Sequence, residues 1–339
     1  MNDDNIILDV NNLKVRFFYE EGTVKASNGV SYQLKEGKSI GIVGESGCGK
    51  TVSTYAILNI LSSAGKIVEG SIKYTRKNGD VVDLSKLKAE SEEMRSIRGR
   101  EISMIFQEPM TAFSPVHTIY NQILEGVMLH QDITEEEARE QIIDLMRKVG
   151  IPDSAKRVDD YPFQFSGGMR QRAMIAMALA CNPRILIADE PTTALDVTIQ
   201  AQVLQLIKKM QEDMNLSLIL ITHDLGVIAH MVEEVYIMYL GRIVESGPVE
   251  KIFYNPAHPY TRDLLKSIPN IKGNKGKIFS IKGSVPDSYS LPMGCSFHTR
   301  CNDYLGKICS TRIPILTEIN KNHCVFCHKY SEGKVTVNG

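Results

Sequence analysis

Ser39-Ile40-Gly41-Ile42-Val43-Gly44-Glu45-Ser46-Gly47-Cys48-Gly49-Lys50-Thr51 contains three local structures in succession. The first five residues form a short, almost continuous apolar run, as expected of a strand buried on both faces in a parallel sheet. Glycines then break the run, and a helix is expected from about Lys50 to Leu61. A strand, a glycine-rich turn and a helix start ending in Gly-Lys-Thr satisfy the phosphate-loop pattern. Its glycines let successive N–H groups turn inward around phosphates at the positive end of a helix. Lys50 would add a point charge at the β- and γ-phosphates, and the Thr51 hydroxyl would reach Mg²⁺.

Outward from this stretch, further buried strands are expected at Ile102–Phe106, Ile185–Ala188, Leu218–Ile221 and Val235–Met238. Helical patterns lie between them, so the core is α/β. Short antiparallel strands are expected to lead, from Ile7-Leu8-Asp9-Val10 and Leu13–Phe17, with Gly22 and Gly29 as punctuation. Between Phe106 and Ile185 the pattern becomes helical. Thr134-Glu135-Glu136-Glu137 caps one helix running to Val149, and Gly167–Ala180 forms another. After Gly247-Pro248 come Asn255-Pro256-Ala257-His258-Pro259-Tyr260, a helix near Thr261–Ser267 and a solvated linker at Lys272–Gly283.

Two more stretches carry chemistry. Asp189-Glu190 ends an apolar strand, where ligands of open α/β sheets collect. Asp189 would anchor Mg²⁺, and Glu190 would orient and deprotonate an attacking water. Ser166-Gly167-Gly168-Met169-Arg170-Gln171 opens a helix and offers either a second anion cradle or an ordinary serine cap.

With 339 residues the chain has room for roughly two domains. Its 43% hydrophobic and 23% charged residues exclude a disordered, collagen-like or mainly coiled-coil chain. No repeat of fixed period argues for a solenoid or propeller. Thirty-nine basic against 40 acidic residues leave a net charge of −1, which gives no global reason to expect nucleic acid binding. Met1-Asn2-Asp3-Asp4-Asn5 lacks the basic and apolar regions of a secretory signal, and runs such as Ala173–Cys181 are too short to cross a bilayer. A cytoplasmic location is expected, with any membrane spanning left to partners. Cys48 sits at a helix start among phosphate-binding amides, so it is either a favoured thiolate, readily alkylated when no phosphate is bound, or an inert small residue. Cys295, Cys301, Cys309, Cys324 and Cys327 crowd the C-terminal stretch. Their spacing fits neither a zinc ribbon nor a ferredoxin, so zinc, an iron–sulfur cluster and free thiols all stay open on the residues alone.

The phosphate loop, Gln107, Ser166–Arg170, Asp189-Glu190, Ala194-Leu195-Asp196 and His223, in this order, resemble the nucleotide-binding subunit of an ATP-binding-cassette (ABC) transporter. Asn255–Thr261 and the cysteine tail resemble the D-type subunit of the oligopeptide/dipeptide permease subfamily, which also serves nickel and other small solutes. The resemblance implies a P-loop NTPase of ABC type: an antiparallel β subdomain, a helical subdomain at about 107–182 and a small Cys-rich extension, divided as 1–254 and 255–339. It implies ATP and Mg²⁺ as ligands and ATP hydrolysis coupled to transport. Gln107 would touch Mg²⁺ and the attacking water, and His223 would contact the γ-phosphate. Phe17 would stack on adenine, with Phe18 and Tyr19 as rivals. Asp196 would face a second subunit, whose Ser166–Gly168 turn caps the nucleotide. The partners implied are that second ATP-binding subunit, two transmembrane permease subunits docked at Glu108–Glu125 and, indirectly, an extracytoplasmic solute-binding protein. The location implied is the cytoplasmic face of the membrane. For the tail the resemblance implies a [4Fe–4S] cluster on Cys295, Cys301, Cys309 and Cys327, with Cys324 as the spare. Met169 is usual for the subfamily; Phe113, where Leu is commoner, and Phe163-Gln164, in place of a His-Glu type pair, depart from the pattern near the permease contact. A soluble cassette ATPase in DNA repair, translation or iron–sulfur assembly is the competing class.

Overall fold

The computed structural model describes residues 5–108, 112–193, 195–268 and 281–331. Ala194, residues 109–111 of the expected permease contact, and residues 272–280 of the expected linker lie outside them.

Strand β3 (Ser39–Val43) is buried along its whole length inside an eight-stranded sheet. It pairs in parallel with β8 (Ser217–Thr222) on one side and β9 (Glu234–Tyr239) on the other. Beyond β8 follow β7 (Ile185–Asp189) and β6 (Ile102–Ile105), also parallel. Every residue of β6, β7 and β8 is buried, which is why these strands read as unbroken apolar runs rather than alternating ones. The opposite flank is antiparallel: β10 (Arg242–Pro248), then β12 (His323–Phe326) and β11 (Leu316–Asn320).

The leading strands are longer than expected. β1 (Ile6–Tyr19) and β2 (Gly22–Lys35) span 14 residues each and pair antiparallel, with β4 (Gly65–Thr75) and β5 (Val81–Asp83) completing a four-stranded sheet. The apparent breaks are register shifts, such as the one between Val10 and Leu13, where Asn12 adopts φ 47°. An extra residue there bends the strand without ending it. Gly29 accordingly lies inside β2.

Helix α1 (Lys50–Ile57) follows β3 and stops short of Leu61, because Asn59 turns left-handed (φ 51°) and donates its side-chain amide to the Leu87 carbonyl at 2.7 Å. Beside α2 (Glu92–Ile97), the helical part comprises α3 (Ile119–His130), α4 (Glu135–Lys148), α5 (Ser154–Arg157) and α6 (Gly167–Leu179). The expected cap of α4 is present as a reciprocal box between Thr134 and Glu137. Helices α7 (Val197–Met214) and α8 (Leu225–Met231) flank β8 in sequence.

The C-terminal part shares the main core. Helices α9 (Val249–Tyr254) and α10 (Pro259–Lys266) follow β10, and α11 (Lys307–Thr311) precedes β11. The rings of Tyr260 and Phe297 lie 4.7 and 5.2 Å from that of Tyr239 on β9. Fully buried Glu245 on β10 accepts the N–H groups of Ala257 and His258 and meets the His323 Nε2 at 2.7 Å. One carboxylate thus joins the Asn-Pro-Ala-His-Pro-Tyr segment to β12. Among the described residues no helix is long and apolar enough to cross a membrane.

Candidate functional site

Two glycines of the loop after β3 hold positions that no side chain could share. A Cβ on Gly44 would sit 2.1 Å from the Met238 carbonyl oxygen, and one on Gly49, at φ 97°, would sit 2.1 Å from that of Ala26. Close approach of β9 and β2 therefore forces the loop to wind inward on its own amides. Lys50, nearly buried, folds back over the loop, its Nζ donating to the carbonyls of Gly44 at 2.8 Å and Glu45 at 3.2 Å. The ammonium is aimed at the space enclosed by Gly44, Glu45, Ser46, Gly47, Cys48 and Gly49.

At the end of β7 one of the expected polar residues meets the helix start that follows this loop. The Thr51 hydroxyl donates to Asp189 Oδ1 at 3.1 Å. The other carboxylate oxygen, Oδ2, is buried with no hydrogen-bond partner. Burial pushes the Asp189 pKa up to about 6; the neighbouring Glu190 charge adds to this, while Thr51 and Lys50 oppose it. A buried carboxylate with one unpartnered oxygen beside a threonine hydroxyl fits a small, hard divalent cation, which takes few protein oxygens and completes its shell with phosphates and water.

Glu190 breaks from the strand at φ 45°, in the left-handed region that non-glycine residues rarely occupy. Its N–H donates to the Ile221 carbonyl at 2.9 Å, so the turn is pinned to β8. Its carboxylate accepts from Gln107 Nε2 at 3.2 Å and the Thr193 hydroxyl at 3.0 Å, and lies 3.3 Å from His223 Nδ1. Gln107 and His223, from the ends of two other strands, are thus each within hydrogen-bonding reach of Glu190. Thr193 carried no sequence signal, being one of two adjacent threonines with no distinguishing spacing.

Other expectations fare differently. Phe17 is partly buried, packs against Gly65 and stacks on Tyr19 with ring centroids 6.3 Å apart; Phe18, on the opposite face of β1, is half exposed. Cys48 is 2% exposed, and burial raises its thiol pKa even though Lys50 works the other way. That reverses the expectation of a reactive thiolate: its place against β9 outweighs the helix start. Ser166 is exposed, its hydroxyl accepting from the Met169 N–H at 3.3 Å. The first N–H groups of α6, from Gly167 onward, have no acceptor inside their own helix. Asp196 spends one carboxylate oxygen on the N–H groups of Thr198 and Ile199, capping α7.

The tail gives no support to a single bound metal ion: among the described residues no group of three or more His, Cys, Asp or Glu is close enough to hold one. Neither the zinc alternative nor the iron–sulfur cluster draws support from this arrangement. Burial comes first in raising the Cys295 and Cys301 thiols to about 11, and Cys327 and Cys309 add to both. Cys324 feels Glu318 instead.

Comparison with known proteins places this geometry. The family described as "ABC transporter" matches residues 27–193, and "Oligopeptide/dipeptide transporter, C-terminal region" matches residues 244–309. The dipeptide transport ATP-binding protein DppD of Bacillus subtilis is 47% identical over 322 residues, 95% of this chain and 94% of that one. A probable peptide ABC transporter ATP-binding protein of Sinorhizobium fredii, y4tR, is 45% identical over 96% of both chains. Among solved structures, the dimeric post-hydrolysis state of the ATP-binding cassette MJ0796 bound to ADP and Pi superposes with a TM-score of 0.62 at 26% identity, covering 71% of this chain and 98% of the other.

Proposed function

The chain belongs to the ABC transporter family, whose cassettes bind and hydrolyse ATP, and from that premise we propose that it energises a membrane importer of peptides or related small solutes. The observation that carries the proposal is the contact of Asp189 with Thr51 at the end of the phosphate loop, beside a Glu190 that meets both Gln107 and His223. Relatives named for peptide transport over nearly their whole length support the class of cargo. The competing reading, a soluble cassette without a membrane partner, draws no support from the families matched.

In this reading the loop Gly44–Thr51 cradles the triphosphate through the Lys50 ammonium and its amides other than that of Glu45, which the Tyr260 hydroxyl accepts, and Phe17 lies under the adenine. Thr51, Asp189 and Gln107 would hold Mg²⁺, which would offset charge on the phosphate oxygens. Glu190 orients a water and takes its proton as the new O–P bond forms and the bond to the bridging oxygen breaks, releasing ADP. Gln107 and Thr193 hold the Glu190 carboxylate in place, and His223 contacts the γ-phosphate. The Ser166–Gly168 turn serves the nucleotide of a second subunit, across a contact that includes Asp196. Glu190→Gln keeps the shape of the side chain and removes the base. MgATP affinity should stay unchanged while turnover falls at least about a hundredfold; undiminished hydrolysis would remove Glu190 from this role.

The partners we infer are a second ATP-binding subunit and two permease subunits at the cytoplasmic membrane face, with a solute-binding protein acting through them. The segment Glu108–Glu125 would receive a permease helix. We keep the division at residue 254 as one of role: residues 1–254 form the ATPase and 255–339 an extension built onto its core. Within the extension we propose a [4Fe–4S] cluster on Cys295, Cys301, Cys309 and Cys327. Mutual influence among these four thiols, with Cys324 apart, supports that donor set. A four-iron cluster also spaces its thiolates more widely than a single ion does.

A further inference from the structure

Glu45 is the second residue of the phosphate loop, and the C-terminal extension holds both its backbone and its side chain. Its N–H donates to the Tyr260 hydroxyl at 3.0 Å. Its carboxylate receives both terminal nitrogens of Arg300, Nη1 at 2.7 Å and Nη2 at 3.2 Å. Arg300 is itself fixed from other sides: Nε donates to the Lys282 carbonyl at 2.9 Å and Nη1 to the Tyr239 hydroxyl at 3.3 Å. The Arg300 side chain is 4% exposed and that of Glu45 25%.

A two-pronged guanidinium–carboxylate contact shielded from water is among the stronger and more directional polar contacts. Such a pair adds little net stability, because desolvating two charges offsets their attraction. What it does supply is a fixed position. The carbonyls of Gly44 and Glu45 are the acceptors of Lys50 Nζ, so anchoring Glu45 also sets where the ammonium points. Arg300 lies directly before Cys301 and five residues after Cys295, so the segment bearing the cysteines also bears the anchor.

We propose that Arg300, with Tyr260, is a positioning clamp through which the Cys-rich extension holds the phosphate loop in its triphosphate-binding shape. Neither residue touches the nucleotide; both act through Glu45. The proposal rests on reading Gly44–Thr51 as the ATP site, and it makes nucleotide affinity a property of the extension as well as of the cassette.

The test is calorimetric titration of the full chain with MgATP, with thermal unfolding in the absence of nucleotide as the measure of folding. The variants are Arg300→Met, Arg300→Lys, Glu45→Gln and the double variant Glu45→Gln/Arg300→Met, with Lys50→Ala as control. Arg300→Met and Glu45→Gln should each raise Kd about tenfold, and the double variant no further than either alone. Arg300→Lys, which keeps the charge and loses the fork, should fall between wild type and Arg300→Met. A folded Arg300→Met with the wild-type Kd would overturn the clamp. So would a double variant that regains wild-type affinity, since the pair would then only be balancing its own charges. If Arg300→Met fails to fold, the double variant, which leaves no unpaired charge, is measured in its place: a raised Kd supports the clamp and wild-type affinity overturns it. Wild-type protein that binds no MgATP, or Lys50→Ala that binds it normally, would instead refute the ATP site itself.

Discussion

Asp189 and Glu190 are neighbours in the chain and meet different partners because the backbone turns between them. Asp189 completes a buried strand, so its charge is costly until a cation shares it. Glu190, in a left-handed conformation, swings its carboxylate to Gln107, Thr193 and His223. Lys50, Thr51, Asp189 and Glu190 were legible because each lies at a strand end or in a glycine turn whose sequence pattern is local, whereas Gln107 and His223 came from the family resemblance and Thr193 from neither. Arg300 and Tyr260 were not, since they reach Glu45 from 255 and 215 positions away and no local pattern marks them. Cys48 shows the same limit from the other side: the helix start that favours its thiolate is visible in sequence, and the overlying β9 that buries it is not. With its thiol pKa raised and the sulfur enclosed, Cys48 should alkylate at least about tenfold more slowly than the partly exposed Cys181 in the native chain. MgATP should make no difference. Peptide mapping after timed iodoacetamide treatment checks this, and labelling of Cys48 at the rate of Cys181 would contradict it.

At the scale of elements, the central strands and the capped helix after Thr134 followed from composition and spacing, because buried parallel strands and reciprocal caps leave strong local signatures. Element length was less legible. Bulged β1 looks like two short strands in sequence, since the register shift near Asn12 interrupts its alternation. The extension was misleading in a different way: its strands β11 and β12 join the main sheet beside β10, a pairing between segments far apart in the chain. That pairing leaves Cys324 opposite Ser246 and Glu318. The proposed cluster therefore predicts a specific outcome. Protein purified without oxygen should be brown and contain about four irons per chain, and Cys324→Ser should keep them while Cys301→Ser loses them. Colourless, iron-free protein, or equal iron loss in both variants, would remove the cluster.

At the scale of the whole molecule, the exposed Ser166 turn shows no hydrogen bond beyond its own helix among the described residues, although its first N–H groups and hydroxyl are suited to an anion. A phosphate loop on one surface and the serine-glycine helix start on another would be complementary if a second cassette supplied the facing half. The dimeric cassette that superposes on this chain is bound to ADP and Pi, in keeping with that arrangement. ATP would then favour the closed pair because its γ-phosphate is seen by both subunits, and its hydrolysis would release them. Val197, 82% exposed just after Asp196, lies on the surface proposed to meet the second cassette. The decisive measurement is photocrosslinking from a benzoylphenylalanine at position 197, in the assembly isolated from membranes and carrying Glu190→Gln to retain ATP. A crosslink to the second ATP-binding subunit that rises sharply with MgATP is the predicted result. No crosslink to any cassette, or the same yield with and without nucleotide, would contradict the account.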